Sequence, residues 1–241
     1  MRGGAETEVL KKYKKEDPVS YTLGSFPTWE LLKAAPERCE RILYSPDYTG
    51  DAELKRAAEA RGIPCCADRK SVERVSGKGN VYVVGVFRKG ENALLTSRCH
   101  AVLVNPSDMG NVGTILRTAA GLGGIDAALI APCADLYDPR TVRASMGALF
   151  RVKTAVFESF EEYRSRYPDR ALYPFMLEGS RLLGEIPKPE GNFSLVFGNE
   201  AAGLPPFFQK AGQSVRIPMS GDVDSYNLAV SAAIGLYSFL Y

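Results

Sequence analysis

The sequence predicts an α/β protein in two parts, a small α/β sandwich followed by a larger parallel-sheet domain. Three observations predict it. Strongly apolar, strand-like runs alternate with helical stretches over the 241 residues, the pattern of a parallel sheet covered on both faces. The alternation is interrupted by the polar stretch RKGENALLTSR (Arg88–Arg98), the best linker candidate. It divides the chain into domains of 1–92 and 93–241, in keeping with a length above that of the usual single domain. Finally, three loops in the second part leave strand-like runs through Gly, Asn and a lone charge, then lead towards small-residue helices. Loops at the carboxyl ends of strands are where open α/β sheets bind ligands, so the three together predict one composite site.

The elements follow in order. The opening KKYKKED run (Lys11–Asp17) reads as a charged arm or a short helix. TWELLKAAPERCERILYS gives a helical stretch and then the strand RILYS. DAELKRAAEARG is an amphipathic helix with Gly62 near its end, and IPCCA is a short strand. SVERVSG suggests another helix before the apolar strand VYVVGVF. From His100 the pattern restarts with the buried strand AVLVN. The helix GTILRTAAGLGG ends in a glycine cluster, as helix C-termini do, and is followed by the strand DAALIAP. TVRASMGALFRV is a helix entered from DPR, and KTAVFES a strand. YPFML, SLVFG and SVRIP are short strands, and NLAVSAAIGLYSFLY closes the sequence as a helix.

Composition removes several classes of function. The 45% hydrophobic and 24% charged content is that of a globular protein with a sizeable core. No apolar run approaches the roughly 20 residues of a membrane span, and the N-terminus has no apolar signal region, so a cytoplasmic, non-membrane protein is expected. The five cysteines (Cys39, Cys65, Cys66, Cys99, Cys133) form no CxxC or Cys/His spacing, which predicts reduced thiols and no metal. The single histidine, His100, stands at a strand start, where a packed structural imidazole is the expected reading; His-based triads and zinc sites have nothing else to draw on. Residues 1–100 carry a net +4 and residues 101–241 a net −2, which fits a polyanion-gripping module joined to a catalytic one and equally a solvated surface. There is no GxxxxGK[ST], and GLGGID follows a helix rather than a strand, so P-loop and dinucleotide folds are unsupported.

The three loops carry the candidate chemistry. In NPSDMGNVGTILR (Asn105–Arg117) the glycines allow close backbone approach to a ligand, and Asn111 is a candidate N-cap. Arg117 is either a surface helix residue or, in an otherwise apolar and small-residue helix, a buried guanidinium needing an anion such as phosphate. In LVFGNEAAGLP (Leu195–Pro205) Glu200 is the only charge between Glu190 and Lys210. It either caps the following turn or has a function. In IPMSGDVDSYNLAVSAA (Ile217–Ala233) Ser225 and Asn227 flank Tyr226 at the entrance of the last helix, where Ser and Asn are also ordinary helix starts.

Read in order, the loops resemble the three signature motifs of the SpoU-type (TrmH-like) RNA 2′-O-ribose methyltransferases of the SPOUT class. The first resembles Asn-Pro, then Gly-Asn-x-Gly with an Arg six residues after the Asn; the second Phe-Gly-Asn-Glu-x-x-Gly-Leu; the third Ile-Pro-Met-x-Gly followed by Ser-x-Asn. VRASMGALFR (Val142–Arg151) resembles the stretch between the first two motifs, and residues 20–87 resemble the small substrate-binding domain often found before the catalytic one. The resemblance implies a deep trefoil knot in the parallel-sheet domain, S-adenosylmethionine as methyl donor, RNA as substrate and a homodimer with the site near its interface. Arg117, Asn111, Glu200, Ser225 and Asn227 fall on the family's catalytic positions. Leu177, Gly198, Ile217, Met219, Tyr226 and Leu228 fall on or beside a cofactor pocket built largely of backbone. Ribosomal RNA is the favoured substrate, with transfer RNA the alternative. A non-catalytic RNA-binding dimer retaining the knot is the competing class, and a nucleotide-dependent oxidoreductase the weakest.

Asp108 stands where many relatives have Asn, and Tyr226 where the third motif usually has Leu. The resemblance makes Arg117 the base, helped by the target phosphate. A guanidinium normally keeps its proton up to a pKa above about 12, so holding the phosphate and polarising the hydroxyl is its simpler task.

Overall fold

The computed structural model describes residues 9–77, 80–90 and 93–241. In chain order the elements are β1 (Val19–Leu23), α1 (Ser25–Ala34), β2 (Cys39–Tyr44), α2 (Asp51–Glu59), β3 (Cys65–Ala67), α3 (Arg69–Ser76) and β4 (Val83–Arg88). There follow β5 (Cys99–Val104), α4 (Met109–Leu122), β6 (Ile125–Ile130), α5 (Pro139–Ala144), β7 (Thr154–Phe157), α6 (Phe160–Arg166) and β8 (Ala171–Pro174). The last are β9 (Arg181–Leu182), β10 (Phe193–Phe197), α7 (Phe208–Ala211), β11 (Val215–Arg216) and α8 (Leu228–Leu240). They form two compact units, Met1–Lys89 with Tyr137–Gly147, and Gly90–Leu136 with Ala148–Tyr241. The sequence division at 92/93 assigns 137–147 to the second part, whereas its contacts are with the first.

The first unit is built on a four-stranded sheet in the order β1-β4-β2-β3, antiparallel except for the β2–β3 pair. Its core includes Leu10, Tyr21, Leu43, Val72, Val84 and Val86. The Lys11–Asp17 run is neither a helix nor a loose arm. The side chain of Leu10 is buried in the core, and the Leu10 amide donates to Ser71 Oγ at 2.9 Å. Strand β1 was not expected, because Ser20 and Thr22 read as polar; both are fully buried and satisfied, Ser20 donating to the Tyr137 carbonyl and Thr22 bonded to Thr28 Oγ1 at 2.6 Å. The predicted helix TVRASMGALFRV is shorter than expected. After Ala144 the chain turns through Met146 and Gly147, both at positive φ, into a 3-10 turn at Ala148–Phe150.

The second unit carries the predicted parallel sheet, five strands in the order β7-β6-β5-β10-β8. Every residue of β5, β6 and β10 is buried, so the apolar runs reflect cover on both faces, each buried Leu or Val contributing about 1.5–3 kcal/mol. One face packs with Phe157, Phe160, Tyr163 and Phe208; α4 and α8 pack on each other, α4 also against β6 and α8 against β10. The glycine cluster ends α4 as expected, Gly123 and Gly124 both taking positive φ. Strands β9 and β11 form a small parallel ladder, and Val215 also bridges Phe175 just beyond β8.

His100 is structural, as expected. Fully buried, it sits at the amino end of β5, away from the loops at the carboxyl ends. Hydrogen bonds run in one direction from Arg170 Nε to Ser194 Oγ (3.0 Å), to Tyr163 Oη (2.7 Å), to His100 Nδ1 (2.9 Å), and from His100 Nε2 to the Leu95 carbonyl (3.1 Å). Burial, with the nearby Arg170 charge, lowers the imidazole pKa to about 4, so it is neutral at physiological pH. All five cysteines are free.

Candidate functional site

The strand order reverses between β5 and β10. From β5 the chain proceeds through α4 to β6 on one side, while β10 pairs with β8 on the other. A crevice at the carboxyl ends of the strands is expected at such a switch point, and the first two motif loops leave these two strands. Asn105 takes a left-handed φ of 52°, which Asn tolerates better than most residues. It donates from Nδ2 to the Ala131 carbonyl at 2.8 Å and accepts at its own carbonyl from Asn199 Nδ2 at 2.9 Å.

Glu200 clasps the first loop rather than capping its own turn. Its Oε2 accepts from the Ser107 amide (3.0 Å) and hydroxyl (2.8 Å), and its Oε1 from the Asp108 amide (3.0 Å) and Asn111 Nδ2 (3.2 Å). Burial alone would raise the Glu200 carboxyl; the Ser107 and Asn111 hydrogen bonds outweigh it and bring the pKa down to about 2. The turn after Glu200 is capped by Asn199, whose Oδ1 accepts from the Ala201 and Ala202 amides at 2.9 and 3.0 Å.

The N-cap of α4 is Asp108, not Asn111. Asp108 Oδ1 accepts from the Asn111 amide at 2.7 Å, which puts Asn111 in the first turn with its side chain available. That side chain joins the third loop, where Asn227 Nδ2 donates to Asn111 Oδ1 at 3.0 Å. Asn227 is itself the N-cap of α8, accepting from the Ala229 amide at 2.8 Å. Arg117 is exposed, contrary to the buried guanidinium the sequence allowed. The buried face of α4 is Val112, Gly113, Ile115, Leu116 and Ala119, and Arg117 lies on the other side. Among the described residues it makes no hydrogen bond or ion pair.

Beside this network lies a cavity of about 360 Å³. Its walls include all six expected cofactor positions, Leu177, Gly198, Ile217, Met219, Tyr226 and Leu228, together with Glu200 and Ser225. Asn111 and Asn227 are one hydrogen bond from this lining, and Arg117 is not part of it. Gly198 is required by close approach: a Cβ there would stand 2.2 Å from Gly203 C and 2.4 Å from Leu204 N. Tyr226 reaches across the third loop, its hydroxyl donating to the Pro218 carbonyl at 3.3 Å. The size, the apolar walls (Phe175, Phe197, Leu204) and the strand-end backbone suit a nucleoside-sized ligand. Among the described residues no group of three or more His, Cys, Asp or Glu side chains is placed to hold a metal ion, and no helix is long and apolar enough to cross a membrane.

Sequence reasoning did not single out Ser107, Asn105 or Asn199, which hold the two loops together. They lie inside the quoted motifs, and the signal was their short polar side chains beside strand ends, where Asn and Ser bond to nearby backbone.

Comparison with known proteins gives the same assignment. The profile of the SpoU rRNA Methylase family matches residues 98–237. The chain is 33% identical over 225 residues to a 23S rRNA (adenosine(1067)-2′-O)-methyltransferase of Streptomyces laurentii, covering 88% of this chain and 82% of that protein. It is 30% identical over 159 residues to the 23S rRNA (guanosine(2553)-2′-O)-methyltransferase RlmP of Bacillus subtilis, covering 64% of this chain. It spans 63% of the RlmP length and only 26% of a Syntrophobacter fumaroxidans small-subunit methyltransferase that it also matches. An AdoMet-bound rRNA methyltransferase from Sinorhizobium meliloti superposes with a TM-score of 0.78 at 25% identity, covering 92% of this chain and 87% of that one. On its motifs, its fold and these matches, the chain belongs to the SpoU rRNA Methylase family.

Proposed function

We propose that this protein transfers a methyl group from S-adenosylmethionine to a ribose 2′-hydroxyl in structured RNA, with ribosomal RNA the favoured substrate. The observation that carries the reading is the cavity walled by the second and third loops and tied through Asn111, Asn227 and Glu200 to the first. Leu177, Gly198, Ile217, Met219, Tyr226 and Leu228 would hold the nucleoside part of the cofactor. When bound, S-adenosylmethionine supplies an electrophilic methyl group.

The chain's own residues do the rest. Arg117 holds the target phosphate through its forked N–H groups and polarises the neighbouring hydroxyl, lowering the cost of losing the proton. Asn111, Ser225 and Asn227 orient the acceptor against the pocket, and Glu200 fixes the acceptor loop. Alignment of this kind supplies roughly 7–11 kcal/mol of barrier reduction when geometry is good.

In this reading the small first domain holds RNA and the second is catalytic, with a trefoil knot in the second. The course of the chain supports the knot. Val215 pairs with both Phe175 and Arg181, so the segment after α7 returns into the loop leaving β8 before α8 packs on α4 and β10. A homodimer is supported by Val230 and Tyr237, exposed along one side of α8, with Tyr241 exposed just beyond its end. A cytoplasmic location is supported by the five free cysteines.

Arg117→Ala tests the reading. With labelled cofactor and ribosomal RNA, methyl incorporation should fall about 100-fold, the scale for losing one transition-state contact, while cofactor affinity stays within about threefold. Wild-type-like incorporation refutes the assignment. Failure of S-adenosylmethionine to raise the melting temperature of the unsubstituted protein would favour the non-catalytic RNA-binding class.

A further inference from the structure

We propose that Lys11–Lys15, with Arg38, Arg88 and Lys89, form a fixed phosphate-binding edge of the first unit that grips the backbone of the RNA substrate. The proposal rests on the RNA-methylating reading and adds where, and by what kind of contact, the RNA is held.

The run Lys-Lys-Tyr-Lys-Lys at residues 11–15 is pinned at several points. Leu10 is buried and its amide donates to Ser71 Oγ at 2.9 Å. Tyr21 Oη donates to the Lys11 carbonyl at 3.0 Å, and the Lys14 amide to Asp17 Oδ2 at 3.0 Å. Lys89 Nζ donates to the Lys15 carbonyl at 2.8 Å. The backbone is therefore held while all four lysine side chains of the run are exposed. Among the described residues, the ammonium groups of Lys12, Lys14 and Lys15 make no hydrogen bond or ion pair. A loose basic tail loses chain entropy when it binds; a pinned one has already been ordered by folding.

The cationic surface continues from this run. Lys89 lies 4.5 Å from the Tyr13 ring and 5.9 Å from the Tyr137 ring, and Arg38 packs on Tyr137 at 5.7 Å. Arg38 Nε donates to the Arg88 carbonyl at 3.0 Å, and Arg88 to the Glu37 carbonyl at 2.7 Å. The run itself carries four lysines followed by Glu16 and Asp17, and the Asp17 carboxylate is turned to the Lys14 amide. A surface of one dominant sign with unpaired ammonium groups is complementary to a polyanion. Lys89 covers a face of Tyr13, which makes that ring a poor platform for stacking a base. The contacts are then with phosphates, and sequence-independent.

The test measures binding of a ribosomal RNA hairpin and an unrelated hairpin across a range of KCl concentrations, using the full chain. Lys12→Gln, Lys14→Gln and Lys15→Gln are combined in one variant. The slope of log Kd against log salt should shrink by about 2–3, near one per lysine. Affinity for both hairpins should fall about tenfold or more, with S-adenosylmethionine binding unchanged. A control combining Lys33→Gln, Lys70→Gln and Arg74→Gln removes the same charge from α1 and α3 and should leave the slope near wild type. An unchanged slope in the first variant, or an equal fall in the control, overturns the proposal. Absence of RNA binding by the unsubstituted protein overturns both this surface and the functional reading, whereas wild-type binding with an unaltered variant slope overturns the surface alone.

Discussion

Replacing Glu200 with Gln should open the first loop while leaving the sheet beneath it intact. The carboxylate accepts four hydrogen bonds from the first loop, two at each oxygen, and Oε2 accepts a longer one from Asn199 Nδ2 at 3.4 Å. Glutamine replaces one oxygen with an NH2 group, so at least two donors then face a donor in either orientation of the amide. Hydrogen bonds to a charged group are worth about 1.5–3 kcal/mol each. Losing two, with some recovered because Glu200 is partly exposed and the Ser107 hydroxyl can turn to water, costs about 2–3 kcal/mol of loop closure. Native-state hydrogen exchange reads this directly. The Ser107 and Asp108 amides should exchange about 30–100-fold faster in the variant, since each 1.4 kcal/mol is a factor of ten. The Val102 amide, in the middle of β5, should not change. Acid provides a second readout. The Glu200 pKa lies below its ordinary 4.5, so the clasp contributes fully above that value and its contribution is lost progressively as the pH falls from there through about 2. Protection of the Ser107 and Asp108 amides in the wild type should therefore decline across that window and approach the level of the variant below it. Equal exchange at Ser107 and Asp108 in variant and wild type would refute the role of Glu200 as the clasp.

Other predictions concern the pocket, the last helix and the buried histidine. Gly198→Ala forces a Cβ into the Gly203–Leu204 backbone; it should cost about 1–3 kcal/mol of stability, as overpacking does, and weaken cofactor binding by tenfold or more in a calorimetric titration. Asn227→Asp keeps the acceptor for the Ala229 amide but removes the donor to Asn111. Its melting temperature should stay near wild type while methyl transfer falls, whereas Asn227→Ala should lose about 1 kcal/mol of capping as well. Equal behaviour of the two variants would show that the cap and the link cannot be separated. His100 has a folded pKa of about 4, below its ordinary 6.5. The stability tied to the neutral ring is thus fully present above pH 6.5 and lost as the pH falls through about 4. Urea unfolding should show wild type losing up to about 1.4 kcal/mol per pH unit more than His100→Gln in that window. Parallel pH profiles would remove His100 as the cause.

The parallel sheet was legible because β5, β6 and β10 are buried on both faces, so their apolar runs needed no alternation to be recognised. The three loops were legible for a related reason: Gly, Asn and a solitary Glu break such apolar runs where they end. What the sequence hid were relationships between distant residues. Glu200 reads locally as a turn cap, because nothing near it announces Ser107 and Asp108, which are brought beside it by the pairing of β10 with β5. Arg117 could be read either as buried, because its neighbours are apolar or small, or as a surface residue, and only the face that α4 buries decides for the surface. The N-cap was misread by three residues, since Asp108 and Asn111 are both good caps and only the backbone course into α4 chooses between them. Strand β1 escaped notice because Ser20 and Thr22 read as polar, while the Ser20 partner and one partner of Thr22 lie far along the chain or across the sheet. Strand β9 exists only through its pairing with β11.

The direction of the hydrogen bonds explains why positions 111 and 227 are both asparagine. Asn227 Oδ1 is committed to the first turn of α8, so only its NH2 group is left to point away from the helix. That group needs an acceptor, and Asn111 supplies Oδ1. Asn111 is then obliged to present its own NH2 on the other side, where it meets Glu200 Oε1. Aspartate at 111 would satisfy Asn227 but set a second carboxylate against Glu200. Aspartate at 227 would cap α8 but oppose the Asn111 oxygen. Two amides in series are the arrangement of these side chains that runs from a helix cap to a carboxylate without a repulsive step. They join the loop assigned to the RNA acceptor to the wall of the donor pocket, and a shift of either loop is transmitted through a single pair of side chains.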